Sequence, residues 1–203
     1  MLDNFSEFVK RVVRTLNRSG VRYMLTGAIA SSYYGRPRTT IDLDVVVNVN
    51  ENELTRLAKV FTSAGLRAEL QKLEATWRSK YRIITIEDTK SPHRLDLIFT
   101  NQKLERKAAR ILGLATHCQT AESLILAKLR MIKATVQVER AAIDRNDIRA
   151  ILENTNINLR RLRSKAKKES TSKILEALLK GEGMFRTIRK TSLKDLRNHR
   201  DRI

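Results

Sequence analysis

The chain has 203 residues, of which 41 are Lys or Arg and 22 are Asp or Glu, giving a formal charge of +19 at pH 7. That length suits one ordinary domain with an appendage or two small ones, and an apolar content of 41% supplies enough core-forming residues to exclude wholesale disorder. No apolar run approaches the roughly 18–20 residues of a membrane span, the single Cys118 excludes an internal disulfide framework, and one thiol with three scattered histidines (His93, His117, His199) excludes the usual structural zinc sites.

The N-terminal stretch MLDNFSEF is acidic and helix-like, unlike a signal or transit peptide, so a cytoplasmic protein with an anionic partner is expected. Phe5, Phe8, Val9, Val12, Val13 and Leu16 repeat at helical spacing over 3–19, and Gly20 follows as a stop. Val21–Leu25 reads as a short buried strand, Ala28–Tyr34 as a short helix closed by Gly35 and Arg36-Pro37, and Ile41–Asn48 as a strand. In that strand Ile41, Leu43, Val45 and Val47 fall on one face, and Asp42, Asp44, Val46 and Asn48 on the other. Leu54, Leu57, Ala58 and Phe61 mark a further helix ending at Ala64-Gly65. Two strands follow, Tyr81–Glu87 and Arg94–Phe99, the second with Leu95, Leu97 and Phe99 opposite Arg94, Asp96 and Ile98.

From about residue 101 the pattern turns helical, apart from an extended piece near Leu114–His117. Thr120 is placed to cap a helix running to about Val138, another covers 141–153, and weaker amphipathic helices fall near 157–168, 171–180 and 192–200. The elements sum to an α+β chain: a small mixed β-sheet flanked by helices over 1–112, then a helical region over 113–203. Within the latter, residues 155–203 carry 15 Lys and Arg against 5 Asp and Glu. Such a segment either concentrates near nucleic acid and phosphate-rich ligands or forms a solvated helical face.

Chemistry concentrates in Leu25-Thr26-Gly27-Ala28, Gly35-Arg36-Pro37-Arg38-Thr39-Thr40 and Ile41-Asp42-Leu43-Asp44-Val45. A glycine ending a strand lets backbone amides approach a ligand, and the following helix N-terminus favours phosphate. Two carboxylates at i and i+2 of a strand share a face with Cα atoms about 6–7 Å apart. If the strand bearing Asp96 is a sheet neighbour, three aspartates gather on a basic protein, where like charges repel unless a cation joins them. Oxygen-only ligands suit Mg2+ or Mn2+ rather than zinc. Trp77 and Tyr81 read more readily as packing residues than as base-stacking ones, and Cys118 as a buried small residue without a histidine–acid partnership.

From Leu25 to Val47, together with Asp96, the sequence resembles the nucleotidyltransferase superfamily of DNA polymerase beta type. Within it the likeness is to small prokaryotic enzymes related to abortive-infection and toxin–antitoxin systems. The resemblance covers roughly residues 10–155. It implies Asp42 and Asp44 as the metal-binding pair, Asp96 as a third carboxylate acting as base or ligand, and Gly27 and Ala28 against a triphosphate. Thr120-Ala121-Glu122 with Lys128-Leu129, and Arg145-Asn146-Asp147-Ile148, resemble the pattern that follows the catalytic core in those enzymes, where a helix lysine reaches the phosphates.

The chain departs from the superfamily at Ala28, where Gly or Ser is usual: Ser donates a side-chain hydrogen bond to phosphate and Ala does not. The resemblance implies transfer of a nucleoside monophosphate from an NTP to a hydroxyl of RNA (a tRNA end) or of protein, with Arg38 and Lys128 on the phosphates. It also implies a toxin-type role with a cognate antitoxin or a homo-oligomer. The alternative, which Ala28 favours, is a non-catalytic antitoxin or nucleic-acid-binding module on the same fold.

Overall fold

The computed structural model describes residues 5–181, so the helix expected near 192–200 lies outside the described residues. Among the described residues the chain divides into two compact units, one of 5–33 and 37–124, the other of 34–36 and 125–181.

The first unit is built on six strands: β1 (Arg22–Leu25), β2 (Asp42–Asn48), β3 (Ile83–Glu87), β4 (Arg94–Thr100), β5 (Arg106–Ile111) and β6 (Leu114–Gln119). Their order across the sheet is β3-β4-β2-β1-β6-β5. The pairs β2–β4 and β1–β6 are parallel, and β1–β2, β3–β4 and β5–β6 are antiparallel. Its helices are α1 (Phe5–Ser19), α2 (Gly27–Tyr34), α3 (Leu54–Ser63) and α4 (Leu70–Arg78). The heptad-like spacing of α1 buries Phe8, Val9, Val12, Val13 and Leu16, and α3 buries Leu54, Leu57, Ala58 and Phe61. The strand residues of odd number, Leu43, Val45, Leu95 and Leu97, are likewise fully buried. Each such side chain contributes about 1.5–3 kcal/mol of burial free energy.

Two elements differ from the sequence expectation. The first is α4, which buries Leu73 and Trp77 four residues apart; the Trp77 ring meets Phe99 edge-on at 5.8 Å and carries the Arg82 guanidinium at 4.6 Å. Tyr81, by contrast, is exposed. The second is the β5–β6 hairpin: β6 covers the extended piece expected near Leu114–His117, but β5 lies where helix was expected. Its β5 strand is an edge with little burial, so Arg106–Ile111 has no alternating apolar face to announce it, and Lys, Ala and Arg are strong helix formers. The two-residue connection, Leu112 at φ 50° and Gly113 at φ 80°, is left-handed at both positions, which is the backbone of a tight hairpin turn and explains the glycine.

Neither His93 nor Cys118 stands near chemistry. His93 packs on the rings of Phe5 and Phe8, and burial pushes the Cys118 thiol up to about 12.

The second unit contains the later turns of α5 (Ala121–Ala134), α6 (Val138–Asn154), α7 (Leu159–Lys168) and a helical run over 172–181. Its core is Leu129, Ile148, Ile151, Leu162, Ala166 and Leu175. Asn158 caps α7 by accepting from the Arg161 amide at 2.9 Å. The segment 34–36 lies against α6: a Cβ at Gly35 would fall 2.9 Å from Ala150 Cβ and 3.0 Å from the Ile151 amide. Thr155 Oγ1 donates to the Tyr34 carbonyl at 2.7 Å, and Arg36 pairs with Glu153.

One buried ion pair ties the first unit together. Asp88, after β3, accepts from Arg11 Nη1 and Nη2 of α1, both at 2.9 Å, and from Ser91 at 2.6 Å, while Arg11 Nη1 also donates to the Ala64 carbonyl at the end of α3. Burial alone would raise the Asp88 pKa, but the hydrogen bonds from Arg11 and Ser91 and the Arg11 charge outweigh it and hold the carboxyl below its ordinary value. A depressed carboxyl stabilises in full above the unfolded carboxylate pKa and loses that contribution as pH falls through the folded one. Urea titrations at stepped pH should therefore show stability declining below about pH 4. Asp88→Asn should cost about 3 kcal/mol at neutral pH, removing the buried carboxylate that faces Arg11, and should flatten the acid limb.

Candidate active site

The site is assembled where β1 hands over to α2 beside β2 and β4. The Thr26 amide donates to the Asp44 carbonyl at 3.0 Å, continuing the β1–β2 ladder by one residue. Thr26 Oγ1 donates to Gln119 Oε1 at 2.6 Å, and Gln119 Nε2 donates to Ser123 Oγ at 2.9 Å, so a buried polar chain fixes the turn from beneath. Gly27 then adopts φ 57° and opens α2. A Cβ there would stand 2.5 Å from Asp44 Cγ and nearer still to Oδ2, so the backbone of the turn and the Asp44 carboxylate share a space that only glycine permits. Ala28 is buried, and Ser31 Oγ returns to the Gly27 carbonyl at 2.8 Å. The first amides of α2 have no acceptor within the helix and carry its positive dipole end.

Asp42, Asp44 and Asp96 are all half-buried, on the face opposite Leu43, Val45, Leu95 and Leu97. The parallel register sets Asp44 beside Asp96 and Asp42 beside Arg94. Neighbouring strands run about 4.8 Å apart, so Asp44 and Asp96 face each other at close range. Each outer carboxylate has a partner: Arg94 Nε bonds Asp42 Oδ1 at 2.9 Å, and Thr85 Oγ1 of β3 donates to Asp96 Oδ1 at 2.6 Å. Among the described residues no three carboxylate, imidazole or thiol groups converge on one cation-sized point. The donor chemistry itself fits a hard divalent cation: three carboxylates, two adjacent strands, one face, and a glycine cradle against the middle one.

Arg38 is exposed, with its amide donating to Ser32 Oγ at 3.3 Å. Lys128 belongs to the second unit, on α5, and is buried at 6% exposure. Its Nζ lies 2.9 Å from Asp144 Oδ1 and 2.8 Å from Asp147 Oδ2, both carboxylates on α6 and themselves buried. Sequence reasoning missed Asp144, although its three-residue spacing from Asp147 puts both on one helix face. It also missed Arg94 and Thr85, which become site residues only once β2, β3 and β4 are known to be neighbours.

Two solved structures share this fold. ANT(2'')-Ia, solved in complex with adenylyl-2''-tobramycin, matches with a TM-score of 0.55 at 14% identity, over 91% of this chain and 98% of that one. An antigenic nucleotidyltransferase-like protein from Paracoccidioides brasiliensis matches with a TM-score of 0.53 at 17% identity, over 86% of this chain and 91% of that one. No family model and no curated protein matches the sequence. The chain has the nucleotidyltransferase fold.

Gly27→Ala should destabilise the chain by about 1–3 kcal/mol, the cost of a non-glycine residue held in a left-handed conformation, with the clash against Asp44 added; a thermal melt against Ser31→Ala as control measures it. Lys128→Met leaves Asp144 and Asp147 buried without their cation and should cost about 3–5 kcal/mol. The triple variant Lys128→Met/Asp144→Asn/Asp147→Asn should recover a substantial part of that loss in the same melts.

Proposed function

We propose that the chain is a metal-dependent nucleotidyltransferase, moving a nucleoside monophosphate from an NTP to a hydroxyl and releasing pyrophosphate. The observation that carries this reading is the in-register pair Asp44–Asp96, flanked by Asp42 and abutting the Gly27 turn at a helix N-terminus. The fold it shares with ANT(2'')-Ia, a protein solved with an adenylylated ligand, supports it.

Asp42, Asp44 and Asp96 would hold Mg2+ or Mn2+, which when bound neutralises carboxylate and phosphate charge and acidifies a hydroxyl. The remaining work falls to the chain. The α2 amides from Gly27 onward and the Arg38 guanidinium hold the phosphates by directed N–H donors. Ala28 contributes its amide alone, so the side-chain contact that Ser supplies in the superfamily is replaced by backbone. Asp96, hydrogen-bonded by Thr85, takes the proton of the acceptor hydroxyl as that oxygen attacks the α-phosphorus and the pyrophosphate oxygen departs. Arg94 holds the Asp42 carboxylate that a cation would also need. Lys128, expected among the phosphate ligands, has Asp144 and Asp147 on its Nζ within the second unit.

For the acceptor, the net charge of +19 favours a polyanion such as a tRNA end. A protein hydroxyl or a small-molecule hydroxyl is the other class, and a toxin-type enzyme with a cognate antitoxin belongs to the first two. A second reading, a non-catalytic module on the same fold, is favoured by the Asp42–Arg94 pair together with Ala28.

The assay incubates the full chain with Mg2+ or Mn2+, each labelled NTP, total tRNA, a protein extract and an aminoglycoside panel. Label transfer should disappear in Asp42→Ala and Asp44→Ala, and Asp96→Asn should slow it by about 10²–10⁴-fold, the loss of a general base. Absence of transfer together with absence of metal-dependent NTP binding would sink the enzyme reading and leave the module.

A further inference from the structure

The opposite end of the same sheet holds a second polar centre that the transfer chemistry does not use. A cleft of about 430 Å³ is lined by Arg22, Asn48, Asn101, Lys103, Leu104 and Arg106. Sequence position explains the gathering. Arg22 opens β1, Asn48 closes β2 and is its register partner, residues 101–105 leave β4, and Arg106 opens β5. Three cations, two amides and one leucine make the lining, and no carboxylate contributes; Glu105 belongs to the same loop but not to the cleft wall.

The cleft is built rather than incidental. Asn48 Nδ2 donates to the Gln102 carbonyl at 2.9 Å and fixes the loop that carries Asn101 and Lys103. Arg106 is half-buried, and its Nη1 donates to the Tyr23 carbonyl at 2.9 Å, which orients the guanidinium and leaves other N–H donors of its five to spare. The Arg22 and Lys103 side chains are exposed and make no hydrogen bond or ion pair among the described residues. Elsewhere in the unit several cations have carboxylate partners: Arg11 with Asp88, Arg67 with Glu87, Arg78 with Glu51, Arg94 with Asp42. Here three like charges converge without one, which costs repulsion until an anion enters.

We infer that this cleft binds the phosphodiester backbone of a single-stranded nucleic acid. The Arg106 fork suits a tetrahedral oxyanion, Lys103 and Arg22 add point charges, and the Asn101 amide supplies a neutral donor. Alternation along β2 puts Asn48 on the same sheet face as Asp44, and Arg22 with it. Four residues at about 3.3 Å each place the cleft roughly 13 Å along the strand from the carboxylates. In the transfer reading the strand bound there is the acceptor. Phosphate binding stands on the cleft alone; only the statement that the bound strand is the acceptor rests on the transfer reading.

The test measures binding of a fluorescein-labelled 12-nucleotide single-stranded RNA to the full chain by anisotropy across a KCl series, without NTP or metal. Arg22→Gln/Lys103→Gln is compared with a charge-matched control on exposed residues elsewhere, Lys59→Gln/Lys133→Gln. The cleft variant should lose affinity by about tenfold and reduce the slope of log K against log [KCl] by about 1.4, at roughly 0.7 per single-strand phosphate contact, while the control keeps the wild-type slope. Photocrosslinks from 4-thiouridine RNA should map to the peptide bearing residues 101–106. Equal losses in the two variants would overturn the proposal, showing only generic charge. Unchanged RNA binding with loss of calorimetric pyrophosphate binding in the cleft variant would also overturn it, assigning the cleft to small phosphates. The anisotropy series contains neither NTP nor metal, so a failed transfer assay and a failed cleft are read separately.

Discussion

Everything at the carboxylate centre depends on the parallel register of β2 against β4. The pairs Leu43–Leu95, Val45–Leu97 and Val47–Phe99 are buried on one face, and the same pairing places Asp44 beside Asp96 and Asp42 beside Arg94 on the other. Strand side chains alternate with period two, so a slip by one residue would drive carboxylates into the core and valines into water. The apolar face thus enforces a juxtaposition of like charges that the polar face would never choose. The β3 strand relieves part of the strain by presenting Thr85 to Asp96. The buried Arg11–Asp88 pair holds α1, the end of α3 and the connection after β3 in one place, which keeps β3 and β4 in their positions.

Much of this was legible in the residues, and the reasons for the gaps are physical. Half-buried strands declare themselves through alternation, and β2 and β4 both read cleanly with the correct face assignment. The β5 strand does not, because an edge strand with exposed Lys107, Ala108 and Arg110 has no burial pattern to impose on its sequence. The α4 helix had a signal in Leu73 and Trp77, but one short apolar pair is weak against the surrounding Lys, Glu and Arg. The Asp42–Arg94 and Thr85–Asp96 contacts join residues 52 and 11 positions apart, and no local rule predicts which strands become neighbours. The pairing of Lys128 with Asp144 and Asp147 was half visible, since helical spacing gives the face of α6 but not the helix that covers it.

The positive charge of the chain divides into distinct physical regimes. At Lys128 a buried cation is outnumbered by two carboxylates, so the local environment is anionic, dry and rigid. On α7, Leu162 and Ala166 face inward while Arg160, Arg161, Arg163, Lys167 and Lys168 remain in water, where salt screens them. In the cleft at the far end of the sheet the cations are concentrated and uncompensated. A single net charge describes none of these; what matters is whether each cation already has an anion and how much water stands between them.

The close approach of Gly35 to Ala150 has a consequence for the linear chain as well as for packing. Residues 34–36 belong to the second unit although their neighbours on both sides belong to the first. The boundary between the units is therefore not a point on the gene. A break after residue 124 would deprive the helical unit of the tripeptide whose Tyr34 carbonyl receives Thr155, and would strip Glu153 of Arg36. Position 35 is constrained by a helix that begins about a hundred residues later in the chain.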